Sequence, residues 1–231
     1  MHPHHHAKSN PDKPAYIMAA SGETVTYRQL NERSNQVAHA LRAAGCQPGD
    51  TIALFAENSP RYFEICWGAQ RAGLYYVAVS SRLTAPEVEY ILSDSGAKLF
   101  ITGESKRHVA EQVKAVTNLE HYWSIDGPMP GFIPLEEHRA KFPETPIADE
   151  SAGTDMLYSS GTTGRPKGIR PALVPGTPID DTNVLVQVLQ AFSGASADSI
   201  YLSPAPLYHA APLRYCMTFM KFGATLIIME K

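Results

Sequence analysis

Two hydrophobic periods alternate along the chain. Leu30, Val37 and Leu41 recur on one helical face behind Thr26 and Gln29. That spacing is a capping box: the Thr26 hydroxyl accepts from the Gln29 amide while the Gln29 side chain reaches back. Gly45 supplies a left-handed stop. Residues 51–56 (TIALFA) form an apolar run of strand length. Ser59-Pro60 then opens a second helix, with Pro60 at the first helical position, where its missing N–H is not needed. This helix is apolar nearly all round, through Tyr62, Phe63, Ile65, Cys66 and Ala69, which predicts burial. Gly73 ends it. The unit repeats, with strands at 75–79, 99–102 and 122–125 and helices at 86–93 and around Val109, Val113 and Val116. Strands separated by helices imply right-handed crossovers and a largely parallel sheet.

A Pro- and charge-rich stretch, 127–150, reads as a connector with one short helix at 135–142. Beyond it come a strand at 156–159, a Gly/Ser/Thr loop and a Pro-rich segment at 170–178. The next helix has Val184, Leu185, Val188, Leu189 and Phe192 on one face. Strands at 200–203 and 224–229 enclose a helix at 213–222. The expected organisation is a flexible His-rich terminus (1–10), a first α/β subdomain with its connector (11–150), and the start of a second α/β subdomain carrying the loop (151–231). The sequence stops two residues after its last strand, which predicts an unfinished sheet edge and an uncovered apolar face, open to a dimer contact or another partner.

Composition narrows the function classes. Apolar residues make up 44% of the 231 residues and charged residues 19%, enough to bury a core and too apolar for a disordered chain. Twenty basic against 23 acidic residues leave a formal charge of −3, without the basic excess of a nucleic-acid binder. Apolar runs such as 224–229 fall far short of the ~20 residues of a membrane span. Cys46, Cys66 and Cys216 form no close pair, as in a reducing compartment, and each sits among apolar neighbours as a small core residue. The first six residues, MHPHHH, lack the apolar core of a signal peptide. Four histidines in six residues suit a metal-binding tract or a tag, and no role or metal-ligand set is assigned to them. The expected location is the cytoplasm.

The chemistry concentrates in Ser159-Ser160-Gly161-Thr162-Thr163-Gly164-Arg165-Pro166-Lys167-Gly168. Glycines let the backbone approach a ligand so that successive N–H groups point at one anion. Hydroxyls add rotatable donors, Lys167 adds a compact charge suited to a polyphosphate, and Pro166 stiffens the return. A flexible linker needs neither a proline-fixed lysine nor an apolar strand feeding it. A Walker-type loop, G-x-x-x-x-G-K-[ST], fails as well. Lys167 follows proline, Gly168 stands where the magnesium-binding hydroxyl belongs, and Pro171 opposes a long helix.

Tyr158 to Gly168 (YSSGTTGRPKG) resembles the phosphate-loop signature of the adenylate-forming superfamily, the AMP-binding acyl-CoA synthetases and their relatives. Thr26-Tyr27-Arg28-Gln29-Leu30 resembles that family's early Thr-Tyr-x-x-Leu helix start. Gly49-Asp50 resembles its Gly-Asp turn, and Pro206-Leu207-Tyr208-His209 the motif reaching its carboxylic-acid pocket. The stretch Arg71-Ala72-Gly73-Leu74-Tyr75 looks most like fatty-acid and related acid–CoA ligases. After Lys167 the usual Ser/Thr-His pair is replaced by Gly168-Ile169-Arg170-Pro171.

The resemblance implies a three-layer αβα architecture, the N-terminal and incomplete portion of such an enzyme's large domain. It implies a carboxylic acid, ATP with Mg2+ and coenzyme A as the molecules bound, an acyl-adenylate formed first and a thioester second. Ser159, Ser160, Gly161, Thr162, Thr163, Gly164 and Lys167 would hold the phosphates, Lys167 offsetting their charge, and His209 would line or gate the acid pocket. The family's adenine, ribose and most magnesium contacts follow later in its chains, so this segment alone is expected to be inactive. The alternatives are another adenylating enzyme, a carrier-loading domain or a luciferase-like oxygenase, and a truncated, non-catalytic interaction module. Glu57 and Asn58 lie at a strand end, where α/β folds place ligands, but Asn58 or Ser59 also suits a helix cap.

Overall fold

The computed structural model describes residues 1–159, 165–180 and 184–230. In chain order the elements are α1 (Pro3–Ser9), β1 (Pro14–Met18), β2 (Thr24–Thr26), α2 (Tyr27–Ala43), β3 (Thr51–Phe55), α3 (Tyr62–Arg71), β4 (Tyr75–Val79), α4 (Ala85–Ser95) and β5 (Ala97–Gly103). They continue with α5 (Arg107–Val116), β6 (His121–Ile125), β7 (Ile133–Pro134), α6 (Leu135–Arg139), β8 (Thr154–Asp155), β9 (Leu157–Ser159) and β10 (Lys167–Ile169). The last are α7 (Val184–Ser193), β11 (Ile200–Ser203), α8 (Ala210–Phe222) and β12 (Thr225–Ile228).

Six strands form a parallel sheet in the order β7-β6-β5-β3-β4-β8. Alternating side chains serve two cores, as the period of a strand dictates. Ile52 and Leu54 of β3 join Tyr76, Leu99 and Ile101 against α2 and α3. Ala53 and Phe55 join Val77, Phe100 and Tyr122 against Val88 and Ile91 of α4 and Val113 of α5. Helices thus cover both faces, and every residue of β3 and β4 is buried. Every residue of α3 is buried too, as its all-round apolar sequence predicts.

The capping box before α2 forms: the Gln29 amide donates to Thr26 Oγ1 at 3.3 Å, and the Thr26 amide to Gln29 Oε1 at 3.0 Å. The helix opened by Ser59-Pro60 begins later, at Tyr62, after a turn in which Ser59 Oγ accepts from the Arg61 amide. Between α2, α3 and α6 a carboxylate is locked in place. Glu64 lies 2.9 Å from Arg33, 3.3 Å from Arg61 and 3.2 Å from Arg139. A buried acid persists where several cations share it. All three cysteines are buried free thiols. Burial pushes Cys46 up to about 11 and Cys216 up to about 12, so neither is a ready nucleophile.

A second sheet has the order β11-β12-β1-β2, with β1 parallel to β12 and antiparallel to β2. Its strands come from both ends of the chain, whereas β8, beyond residue 150, completes the first sheet. The expected division at residue 150 therefore separates neither sheet cleanly.

The flexible terminus expected over residues 1–10 is a folded helix instead. Pro3 starts α1 without needing its N–H, and His2 is 1% exposed with its ring edge-on to Trp67 at 4.8 Å. His6 Nε2 lies 3.0 Å from the Lys221 carbonyl oxygen on α8. Imidazoles have an apolar ring body as well as polar nitrogens, and here the rings pack while His2 Nδ1, His5 Nε2 and His6 Nε2 find polar partners.

Candidate functional site

The chain reaches the phosphate-loop motif through a tight backbone passage. A Cβ on Gly153 would lie 2.2 Å from the Leu74 carbonyl oxygen and 2.6 Å from its nitrogen, so only glycine fits. This approach lets the Gly153 amide donate to Gln70 O at 2.7 Å and aligns β8 with Tyr75 and Tyr76 of β4. Asp155 follows, largely buried, its Oδ2 accepting from Arg214 Nε at 3.0 Å and lying 2.8 Å from Nη2. The root of the loop is thereby tied to α8.

Strands β9 and β10 then form an antiparallel hairpin in which Lys167 faces Ser159, Gly168 faces Tyr158 and Ile169 faces Leu157. Gly168 has a steric reason to lack a side chain: its Cβ would stand 2.9 Å from the Tyr158 ring. The outgoing limb is anchored by Tyr158, whose hydroxyl donates to Asp94 at 2.6 Å. Burial, with this carboxylate beside it, raises the Tyr158 phenol and keeps it protonated. The returning limb is held by aromatic side chains of the first sheet's layer. Arg165 lies over the Tyr90 ring at 5.1 Å, and Tyr90 Oη donates to Pro166 O at 3.1 Å. Arg170 stacks over Tyr75 at 4.3 Å and donates to the Gly49 carbonyl at 2.8 Å. Lys167 remains exposed between these anchors.

Among the predicted site residues, the hairpin brings Ser159 and Lys167 opposite each other. Ser160, Gly161, Thr162, Thr163 and Gly164 lie outside the described residues. His209 is exposed at the N-cap of α8, its ring 4.6 Å from that of Tyr208. Its side chain makes no capping bond. Tyr208 lines a cavity of about 450 Å³, also lined by Glu57, Arg82 and Lys106, at the carboxyl ends of the strands. Ala210 and Arg214 line another of about 660 Å³, with Trp67, Tyr76, Asp155 and Met217. Helix α8 thus begins between the two cavities.

Two positioning residues escape a sequence reading. Arg214 holds Asp155 from 59 residues away, a pairing with no local signal. Asn58 is not a helix cap. Its Nδ2 donates to the carbonyls of Met229 at 2.7 Å and Ala205 at 3.3 Å, and its Oδ1 accepts from the Leu207 amide at 2.7 Å. It fastens the Pro206-Leu207-Tyr208-His209 turn to the ends of both sheets. Its neighbour Glu57 pairs with Lys106 at 2.7 Å.

The largely parallel sheet flanked by helices matches the N-terminal domain of adenylate-forming enzymes. The AMP-binding enzyme family model matches residues 3–231, and the chain belongs to that family. The fatty acid–acyl-carrier-protein ligase ScoC of Streptomyces coeruleorubidus is 37% identical over 179 residues, covering 71% of this chain and 31% of that protein. The long-chain-fatty-acid–CoA ligase FadD13 of Mycobacterium tuberculosis is 31% identical over 236 residues, covering 97% of this chain and 44% of its own length. The crystal structure of ATP-bound MatB from Rhodopseudomonas palustris matches with a TM-score of 0.76 at 26% identity, covering 100% of this chain and 46% of that one. The chain therefore spans less than half the length of these relatives, and it corresponds to their N-terminal part. Among the described residues, no helix is long and apolar enough to cross a membrane.

Proposed function

We propose that this chain supplies the phosphate-loop half of an ATP-dependent acid–CoA ligase. The observation that carries the reading is the hairpin with Lys167 exposed opposite Ser159, braced on both limbs by tyrosines. In this reading residues 159–164 and Lys167 hold the β- and γ-phosphates of ATP while a carboxylate attacks the α-phosphorus. The step brings an anion up to a polyanion, so the contribution of these residues is charge neutralisation and alignment. Bracing matters because a donor set already held in place loses little entropy when the ligand arrives.

Magnesium offsets phosphate charge when bound. Residues 159–168 contain no carboxylate, and Asp155 is committed to Arg214, so the protein groups that would hold the ion lie mostly outside this chain in this reading. The cavity of about 660 Å³ beside α8 suits the acid's chain: its size is that of a small-molecule pocket, and Trp67, Tyr76 and Met217 make it largely apolar. His209, at the start of α8, gates that cavity or hydrogen-bonds the carboxylate. Coenzyme A takes the acyl group in this reading; ScoC, with an acyl-carrier-protein acceptor, keeps a carrier acceptor as the second reading. The setting is cytoplasmic.

The proposal includes inactivity of the segment in isolation, with later segments of a longer polypeptide supplying the adenine and ribose contacts. Incubated with fatty or aromatic acids, ATP and magnesium, the purified chain is expected to release no pyrophosphate; acid-dependent release overturns that part. In the longer polypeptide, Lys167→Ala should slow acyl-adenylate formation by about 10- to 150-fold, the worth of one charge-assisted contact. Thioester formation from preformed acyl-adenylate should change little. Equal losses in both half-reactions would make Lys167 a structural residue.

A further inference from the structure

The ligase reading gives no role to the histidines of α1. His4 Nε2 lies 3.9 Å from Asp180 Oδ2, and His5 Nε2 lies 2.9 Å from Asp180 Oδ1. The ligand atoms of these three residues all fall within 4.8 Å of one another. The two rings lie 3.9 Å apart and 34° from parallel, so neighbouring residues on a helix, which ordinarily diverge, both turn toward one carboxylate.

His2 sets the geometry from behind. The His4 amide donates to His2 Nδ1 at 3.2 Å, so that nitrogen is an acceptor. The same His2 Nδ1 lies 3.2 Å from His4 Nδ1, a contact that a proton on His4 Nδ1 satisfies as a second donor to the shared lone pair. That tautomer leaves His4 Nε2, the atom facing Asp180, with its lone pair free. The His2 amide also donates to Asp180 Oδ1 at 2.8 Å. A buried residue thus orients one imidazole and the carboxylate together, the arrangement that supports ligands in metal sites. His6 is engaged elsewhere, on the Lys221 carbonyl.

We propose that His4, His5 and Asp180 bind a divalent transition-metal ion that fastens helix α1 to the end of the segment returning from the phosphate hairpin. Two imidazoles and one carboxylate are a donor set for zinc or cobalt, with one tetrahedral position left to water. In a tetrahedral zinc site ligand atoms stand about 3.3 Å apart, so the ion needs only small side-chain shifts and displaces the His5–Asp180 contact. Binding joins residues 175 apart in sequence.

The test uses the full chain without an affinity tag, stripped with a chelator and titrated with zinc by calorimetry and with cobalt by visible absorption. One equivalent is expected, with a tetrahedral cobalt spectrum and a rise in Tm. Asp180→Asn, which keeps the side chain's size, should weaken zinc binding at least tenfold, as should His4→Ala, while His108→Ala should leave it unchanged. Circular dichroism verifies that each variant is folded. A stoichiometry well below one overturns the site. So does an Asp180→Asn chain, or the urea-unfolded parent, that binds zinc as tightly as the folded parent, because the histidine tract would then be acting alone.

Discussion

The two sheets use the same residue types to opposite effect. In the six-stranded sheet, valines, isoleucines and aromatics are buried on both faces, because α2 and α3 lie on one side and α4 and α5 on the other. In the four-stranded sheet, the edge strand β11 leaves Ile200 74% exposed, and the neighbouring helix α7 leaves Phe192 88% exposed. Local sequence does not separate the two cases; neighbours do. A parallel strand is stable when both faces are covered, and an apolar edge invites another strand or chain. The first sheet is covered on both faces, whereas the second leaves large apolar side chains of β11 and α7 exposed.

The comparison can be broken most sharply at Glu64. Glu64→Ala leaves three arginines around an empty centre within the closed half, and the expected loss is roughly 3–5 kcal/mol in urea unfolding. A loss below about 1 kcal/mol would mean that the closed half is less tightly specified than its burial implies. Asn58→Ala removes the bonds that join the end of β3 to the turn before α8 and to the end of β12, and should cost roughly 1–2 kcal/mol. Amide exchange should rise around residues 205–207 while β4 and β5 stay protected; equal acceleration in both sheets would show that they unfold as one unit. The smallest effect belongs to the open face. Ile200→Thr with Phe192→Ser should change stability by less than about 0.5 kcal/mol while reducing dye binding and self-association. A clear loss of stability would show that this face is already packed in solution.

Most of the first sheet was legible in the sequence because its strands are continuous apolar runs punctuated by helices with recognisable caps. The motif at residues 159–168 stands out in the sequence because its residue types are unusual together and adjacent in the chain. What was not legible depends on distant partners. Helix α1 is hidden in the sequence because histidine reads as polar although its ring body packs well, here His2 on Trp67 and His6 on Tyr27. Strand β1 contains a proline and pairs with β12, over two hundred residues later, so no local pattern announces it. The brace of Arg214 on Asp155 and the three-way contacts of Asn58 are likewise products of the fold, visible only after distant segments meet. Gly168 read as a departure from a phosphate-binding pattern, whereas its neighbour Tyr158 gives it a steric cause.

The pairing of β1 with β12 also has a consequence for synthesis. During translation the strands of the larger sheet can assemble once residue 155 has left the ribosome, but β1 must wait for residues 225–228 to emerge. Until then an early segment holding Tyr16 and Met18 has no parallel neighbour, and it is open to misplaced contacts in the nascent polypeptide. Chaperone engagement should concentrate on that waiting strand and fade when its late companion arrives.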